Sequence, residues 1–177
     1  GRNVNGELGI GSNVTSSLPN AIANLGHNFS VIAIACGYNH NCALSSNHSI
    51  KCWGDAGFGK LGYGDTVSRG LTASTMGDAL PVVDLGDDFV PKEVKCGKYH
   101  TCSTSQDDRM KCFGYSGNGQ LGYGGDQING GQAYNMRGDQ VGEMGNNLPV
   151  INVRDPTAAP TVTPTPAPSA SPTESPT

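Results

Sequence analysis

The sequence lacks the features that most membrane-spanning, helical or nucleic-acid-binding proteins require. No run of about 18 apolar residues occurs, so no membrane span is expected. No basic cluster occurs, and 11 Lys and Arg against 15 Asp and Glu give a formal charge of −4. Because phosphate contacts by cationic side chains dominate nucleic-acid affinity, DNA or RNA binding is not expected. No sustained 3.6-residue apolar period is present, and 26 glycines and 11 prolines argue against a helical bundle.

Common catalytic motifs are also lacking. The glycine-rich runs are not followed by Lys-Ser or Lys-Thr and open no helix, so they do not predict a phosphate-binding loop. The acidic pairs Asp87-Asp88 and Asp107-Asp108 lie in predicted turns, where solvated carboxylates are common. We therefore expect no enzymatic activity and no bound cofactor.

What the sequence does contain is one stretch that occurs twice. Residues 36–64 recur as residues 96–124, 60 positions later and without a gap. The shared positions are Cys36/Cys96, His40/His100, Cys42/Cys102, Cys52/Cys112, Gly54/Gly114, Leu61/Leu121 and Gly62/Gly122. An internal period of this size with strand-forming content is typical of a propeller or a solenoid.

Each copy predicts a β-hairpin. In the first copy, β-prone segments 41–44 and 49–53 flank the polar turn 45–48, and the second copy repeats this pattern. Cys42 and Cys52 lie at equal distances from the centre of the turn, as do Cys102 and Cys112. Facing positions in an antiparallel hairpin lie about 4.5–5.5 Å apart, a separation that suits a disulfide. We therefore predict the disulfides Cys42–Cys52 and Cys102–Cys112.

Two cysteines are left over by this pairing. Cys36 and Cys96 occupy equivalent places in the two copies, and they could be free, pair with each other or pair outside the chain. A zinc site of three cysteines and His40 is an alternative, but the Cys-x₃-His-x-Cys-x₉-Cys spacing matches none of the usual zinc motifs. Structural disulfides are the preferred interpretation, and no metal site is predicted.

Cysteine usage and glycosylation sequons predict the compartment. Cysteines in hairpin register favour an oxidising environment. Asn-x-Ser/Thr sequons begin at Asn13, Asn28 and Asn47, and Asn47 lies at a predicted hairpin tip. We therefore expect an extracellular or cell-surface glycoprotein.

The repeat pattern divides the chain. Residues 6–11 match 59–64 and 119–124, so the chain opens within a repeat. The expected organisation is a propeller segment over 1–153, with a partial repeat at 1–30 and further repeats at 31–90 and 91–153. Residues 154–177 are rich in Pro, Thr and Ser, and we expect them to form a disordered linker or an O-glycosylated stalk.

Several motifs carry a family resemblance. They are Gly37-Tyr-Asn-His40, Gly97-Lys-Tyr-His100, Cys52-Trp-Gly54, Met76-Gly-Asp-Ala-Leu-Pro81 and the run from Arg137 to Pro149. Together they resemble the regulator of chromosome condensation repeat, in the cysteine-containing form found in large secreted or surface proteins. The resemblance implies an all-β fold of four-stranded propeller blades, seven in the founding members. This chain would supply about two full blades and parts of their neighbours, so a fragment of a longer protein is expected.

The resemblance also implies roles for single residues. The histidines of the Gly-x-x-His motif, His40 and His100, are expected to be structural hydrogen-bonding residues rather than catalytic ones. The remaining expected structural positions are Gly54, Gly114, Leu61, Leu121 and the blade-core aromatics Trp53 and Phe113.

The predicted function is non-catalytic recognition of a protein or cell surface. The variable loops, especially residues 125–147, would bind a protein partner of unknown identity, and further repeats of the full-length protein would complete the propeller. One alternative is guanine-nucleotide exchange on a Ran-like GTPase with chromatin association, as in the founding family member. Another is a secreted propeller that inhibits an enzyme. The integrin-type tripeptide Arg137-Gly-Asp139 lies within a run of residues that matches the repeat motif, and it is not expected to mediate adhesion.

Overall fold

The computed structural model describes residues 1–17, 22–123 and 136–152. Within them lie eight strands: β1 (Val31–Cys36), β2 (His40–Ser45), β3 (Ile50–Gly54), β4 (Pro91–Cys96), β5 (His100–Ser105), β6 (Arg109–Tyr115), β7 (Met136–Arg137) and β8 (Ile151–Asn152). Short 3₁₀ turns occupy Gly57–Gly59, Ala73–Thr75, Gly77–Ala79 and Gly145–Asn147. The described residues contain no α-helix, and none of their turns could cross a bilayer. The expected tail 154–177 and residues 125–135 of the loop 125–147 lie outside the described residues.

The strands form two antiparallel sheets. Strands β1, β2 and β3 pair in sequence order and form blade 1, and β4, β5 and β6 form the same arrangement in blade 2. Each hairpin turn ends on a residue in the left-handed region, His48 with φ 62° and Asp108 with φ 65°. A left-handed residue at this place gives a turn whose twist matches that of the flanking strands. The predicted all-β, blade-like architecture is confirmed.

The outer layer of each blade is divided. In blade 2 both β7 and β8 pair with β6, β7 near its end and β8 near its start. In blade 1 the corresponding segments contact β3 only through a bridge between Gly54 and Arg69 and a 2.8 Å bond from the Val83 amide to the Ile50 carbonyl. The fourth strand of each blade is therefore two short pieces with a gap between them.

A tyrosine hydroxyl fills this gap in both blades. The Tyr63 hydroxyl accepts a hydrogen bond from the Cys52 amide at 2.8 Å and donates to the Cys52 carbonyl at 2.9 Å. Tyr123 bonds the amide and carbonyl of Cys112 at 2.9 and 2.6 Å. Burial raises the pKa of both hydroxyls, that of Tyr123 to about 12, so both donate at neutral pH. The hydroxyl thus replaces the backbone partner that a continuous fourth strand would supply.

A buried lysine joins each blade to its flanking loops. Lys51 Nζ donates to the carbonyls of Leu25 and Gly77 at 2.8 and 2.9 Å. In the next blade Lys111 Nζ donates to the equivalent carbonyls of Leu85 and Gly145 at 2.7 and 2.9 Å. Burial lowers the pKa of both ammonium groups, and the carbonyl oxygens compensate part of the lost hydration.

Adjacent blades pack an aromatic ring against a glycine. Phe113 of blade 2 covers Gly62, where an added Cβ would lie 2.7 Å from the ring, and φ is +73°. Trp53 covers Gly9 in the same way and donates from Nε1 to the Glu7 carbonyl at 3.0 Å. The neighbouring leucines of the glycine turns, Leu61 and Leu121, are buried. Any side chain larger than hydrogen at these glycines would therefore push the blades apart.

Replacing Tyr63 by Phe tests the hydroxyl's role in the divided outer layer. The change leaves the Cys52 amide and carbonyl without a buried partner, so we expect a loss of about 1–3 kcal/mol in the free energy of unfolding. Urea denaturation followed by circular dichroism measures it. Tyr38→Phe, which removes the hydroxyl of an exposed ring, is the matched control and should change stability by less than about 0.5 kcal/mol. Equal stabilities of the two variants would contradict the assignment.

Candidate functional site

The contact between blades buries a histidine. His40, at the start of β2, is 1% exposed, and its Nε2 lies 2.9 Å from Oγ1 of Thr101 in blade 2. Thr101 gives its hydroxyl proton to the Lys60 carbonyl at 2.9 Å, so His40 Nε2–H is the donor to Thr101. His40 Nδ1 has no hydrogen-bond partner among the described residues. The expected structural, hydrogen-bonding role thus takes the form of a bond between blades.

Burial and nearby charged side chains change the pKa of His40. Burial, assisted by the nearby Lys60 ammonium, lowers the pKa of His40 to about 4, so the imidazole is neutral at pH 7. Lys60 is itself buried and pairs with Asp55 at 2.5 Å. His100 is only half-buried because no following blade covers it in the described structure. Of the two cysteines beside His40, Cys42 is oxidised in a disulfide and Cys96 is a thiol whose pKa burial raises, so neither is an activated nucleophile.

The structure joins the four hairpin cysteines as two disulfides. Cys42 and Cys52 are register partners with Cα atoms 4.1 Å apart, and both are fully buried. Cys102 and Cys112 form the equivalent bond, also with Cα atoms 4.1 Å apart.

The remaining two cysteines are free thiols with different surroundings. Cys36 is exposed on β1, whereas Cys96 is partly buried and its thiol donates to the Ala35 carbonyl at 3.6 Å. Burial raises the pKa of Cys96 to about 11. Cys96 also lies beside His40 and Cys42 of the preceding blade, with one ligand atom of each within 4.8 Å of the others. The zinc site that the spacing within one repeat suggests consists of Cys36, His40, Cys42 and Cys52, and Cys96 is not part of it.

Four aromatic side chains, two exposed and two partly buried, form a cluster across both blades, here called the aromatic face. Tyr38 contacts Tyr99, Tyr99 contacts Phe58, and Phe58 contacts Tyr115, with ring centroids 6.2, 5.5 and 5.1 Å apart. Lys98 Nζ lies 5.4 and 5.0 Å from the centroids of Tyr38 and Tyr99, a distance suited to cation–π attraction. Tyr38 is 61% exposed and Phe58 is 39% exposed.

The aromatic face is not part of the repeated scaffold. Where one copy has the aromatic residue, the other copy has a polar one: Tyr38/Lys98, Tyr99/Asn39, Phe58/Asn118 and Tyr115/Asp55. The scaffold aromatics behave differently, because Trp53/Phe113 and Tyr63/Tyr123 are aromatic in both copies. Blade formation therefore does not require the four rings of the aromatic face.

Backbone strain supports a role for Phe58. Its φ of +66° lies in the left-handed region, which a bulky residue seldom adopts. A residue held there costs on the order of 1 kcal/mol or more, and such strain is concentrated at functional sites. The strained backbone at Phe58 holds a ring that remains partly exposed.

The other predicted site residues lie apart from this face. The sequon residues Asn13, Asn28 and Asn47 are exposed, so each is sterically open to modification. Arg137 is partly buried, with Nη1 lying 3.7 Å from Glu143, and Gly138 is buried. The Arg-Gly-Asp tripeptide is thus built into β7 and its turn. Gly54 and Gly114 are buried at the ends of β3 and β6.

Comparison with known proteins finds family models and relatives that match this chain. Models described as the regulator of chromosome condensation (RCC1) repeat match residues 1–44, and 31–60 with 92–120. The ultraviolet-B receptor UVR8 of Arabidopsis thaliana is 32% identical over 127 residues, which is 70% of this chain and 26% of UVR8. The chain therefore spans about a quarter of that relative's length.

Solved structures share the fold. Human WBSCR16 superposes with a TM-score of 0.55 at 20% identity, over 77% of this chain and 32% of that one. Prp20p from Saccharomyces cerevisiae, described with its binding to Gsp1p and histones, superposes with a TM-score of 0.52 at 18% identity. That match covers 71% of this chain and 30% of Prp20p.

The buried imidazole predicts acid sensitivity. The folded pKa of His40, about 4, lies below its ordinary 6.5, so the unfolded chain binds more protons between these values. Stability contributed by the neutral form is complete above pH 6.5 and is lost as the pH falls toward 4, by up to about 3 kcal/mol. Urea unfolding across this range should show a shallower pH slope for His40→Gln than for wild type. His100→Gln, at the half-buried equivalent, should keep most of the slope, and an unchanged slope in His40→Gln would refute the assignment.

Proposed function

The chain belongs to the regulator of chromosome condensation (RCC1) repeat family, and on that basis we propose that it is a non-catalytic module that recognises a protein through its aromatic face. A propeller of this family suggests a scaffold for protein interaction, and Prp20p is described as binding a protein, Gsp1p, and histones. The likeness to Prp20p is 18% in sequence, so it supports the scaffold rather than a particular partner.

The composition of the aromatic face is the observation that carries this proposal. Tyrosine is enriched among the residues that dominate protein interfaces, because it buries a large ring with little loss of side-chain entropy. The cluster combines Tyr38, Tyr99 and Tyr115 with Phe58, and Lys98 lies over two of the rings. The other copy has polar residues at the equivalent positions, so folding does not explain these rings. Contact with a protein partner does explain them.

We also propose that further blades of the same kind flank the described pair. Ile34 on β1 is 62% exposed, whereas its equivalent on β4, Val94, is 3% exposed because blade 1 covers it. At the other end His100 is half-buried and its covered equivalent, His40, is 1% exposed. The outer face of blade 1 thus presents apolar residues of β1, and the outer face of blade 2 presents the side of β5 that carries His100. Between blades 1 and 2 the equivalent surfaces, of β4 and β2, pack against each other.

The exchange-factor alternative predicts a different measurable activity. A guanine-nucleotide exchange factor speeds nucleotide release from its GTPase, whereas a recognition module that lacks this activity does not. Release of a fluorescent GDP analogue from a Ran-like GTPase, with and without the chain, separates the two. Acceleration at micromolar concentration would favour exchange over the proposal.

Truncating the aromatic face tests the proposed function. Tyr38→Ala with Tyr99→Ala should weaken binding of a partner isolated with the wild-type chain by about 30-fold or more, because truncating interface hot spots costs about 2 kcal/mol or more. Surface plasmon resonance measures the change. Val82→Ala with Val141→Ala, which shortens two exposed side chains outside the face, is the matched control. Equal affinities of the tyrosine variant and wild type would exclude the aromatic face.

The disulfides support location in an oxidising compartment, which we propose as well. In protein from its native source, Cys42 and Cys52 should resist alkylation until a reductant is added, while exposed Cys36 reacts at once. Peptide mass spectrometry under non-reducing conditions reports each site. Immediate alkylation of Cys42 and Cys52 would place the chain in a reducing compartment.

A further inference from the structure

Three sulfur atoms and an imidazole meet between the blades: those of Cys42, Cys52, Cys96 and His40. We propose that, once the Cys42–Cys52 disulfide is reduced, His40, Cys42 and Cys96 bind a zinc-class divalent cation that links blade 1 to blade 2. This site uses two ligands from one repeat and one from the next.

The geometry favours such a site. A ligand atom from each of His40, Cys42 and Cys96 lies within 4.8 Å of the other two. Thr101 Oγ1 lies among them, 2.9 Å from His40 Nε2 and 3.9 Å from each of the two sulfurs. Tetrahedral zinc with Zn–N of about 2.0 Å and Zn–S of about 2.3 Å holds its ligands about 3.5–3.8 Å apart. The three atoms therefore need to approach one another by only about 1 Å.

The histidine is prepared to act as a ligand. Its ring is buried at the contact between the blades, beside the sulfurs of Cys42 and Cys96. Its single proton now lies on Nε2, facing Thr101, and Nδ1 has no hydrogen-bond partner among the described residues. Moving the proton to Nδ1 frees Nε2 for an ion; the hydrogen bond from Nε2 to Thr101 is then lost, and no bond at Nδ1 is broken.

Metal binding requires that the Cys42–Cys52 disulfide is reduced first. A dithiol reductant supplies two electrons and two protons, which convert the Cys42–Cys52 bond into two thiols while the reductant becomes a disulfide. The cation then replaces the thiol protons of Cys42 and Cys96, and two protons leave. The two thiolates offset the ion's two charges, and the nearby Lys60 charge is already paired with Asp55. A water fills the fourth coordination position.

The repeat provides its own controls. Cys36 is equivalent to Cys96, but it is exposed and has no preceding His-Cys hairpin in the described part of the chain. His100 and Cys102 are equivalent to His40 and Cys42, but no following-blade cysteine faces them within residues 1–17, 22–123 and 136–152. One inter-blade ion per chain is therefore expected.

The redox state of the Cys42–Cys52 bond would then determine whether blade 1 contains a disulfide or is joined to blade 2 by a metal ion. Oxidised, Cys42 ties β2 to β3 within blade 1. Reduced and metal-bound, the same sulfur ties blade 1 to β4 of blade 2. The same sequence can thus be reinforced in an oxidising or a reducing compartment by different bonds.

Cobalt binding to the reduced full chain tests the proposal, because Co²⁺ substitutes for Zn²⁺ and reports its ligands by absorbance. After reduction with dithiothreitol and anaerobic desalting, wild type should bind one Co²⁺ with thiolate charge-transfer and tetrahedral d–d bands, and Zn²⁺ should displace it. Cys96→Ser and His40→Ala should each weaken binding by more than about tenfold, the loss that removing even an outer-shell partner of a metal causes. Cys36→Ser and His100→Ala should bind as wild type does.

A second measurement remains decisive if a variant misfolds. In reduced wild-type protein, Zn²⁺ should slow iodoacetamide alkylation of Cys42 and Cys96 but not of Cys36, as read by peptide mass spectrometry. Absence of thiolate–Co²⁺ bands in reduced wild type would overturn the proposal. Equal affinity in Cys96→Ser and wild type, or protection confined to Cys102 and Cys112, would also overturn it.

Discussion

The structure depends on a constraint that no blade satisfies alone: each sheet has a face that only the next blade can cover. Between blades 1 and 2 that face is closed by Val94, His40 and the ring of Phe113 against Gly62. Burying one aliphatic side chain contributes about 1.5–3 kcal/mol, comparable with a sizeable part of a domain's net stability. Since the exposed Ile34 has lost that contribution, blade stability is shared between neighbours, as in other repeat proteins.

A second constraint comes from the divided outer strand. Splitting this layer leaves an amide and a carbonyl of Cys52, and of Cys112, facing no backbone partner, and an unpaired buried group is costly. The two tyrosine hydroxyls satisfy them, and the two buried lysines do the same for loop carbonyls. These polar residues recur at fixed spacing in both copies because the backbone groups that they serve recur. Their identity is thus set by hydrogen bonding rather than by contact with a ligand.

What the sequence could predict is what lies within one copy. The position of Cys42 relative to Cys52 follows from hairpin register, because facing residues are equidistant from the turn. The inter-blade bond from His40 to Thr101 joins residues 61 apart, and no pattern within one copy indicates it. The roles of Lys51 and Tyr63 were missed because their partners are backbone carbonyls and amides, which the sequence does not distinguish. The aromatic face is not part of the repeat pattern, because each of its rings occurs in one copy only.

The differences between copies carry the functional signal. A residue present in both copies, such as the Trp53/Phe113 ring, is explained by the blade, and a ligand need not be invoked for it. An aromatic residue present in one copy only, such as Phe58 where the other has Asn118, has no such explanation, and at Phe58 the backbone is strained as well. The same logic applies to Cys96, whose equivalent Cys36 differs in burial rather than in identity. The position of a residue among the blades, and not its place in the repeat, therefore determines which of two equivalent residues can bind a partner or an ion.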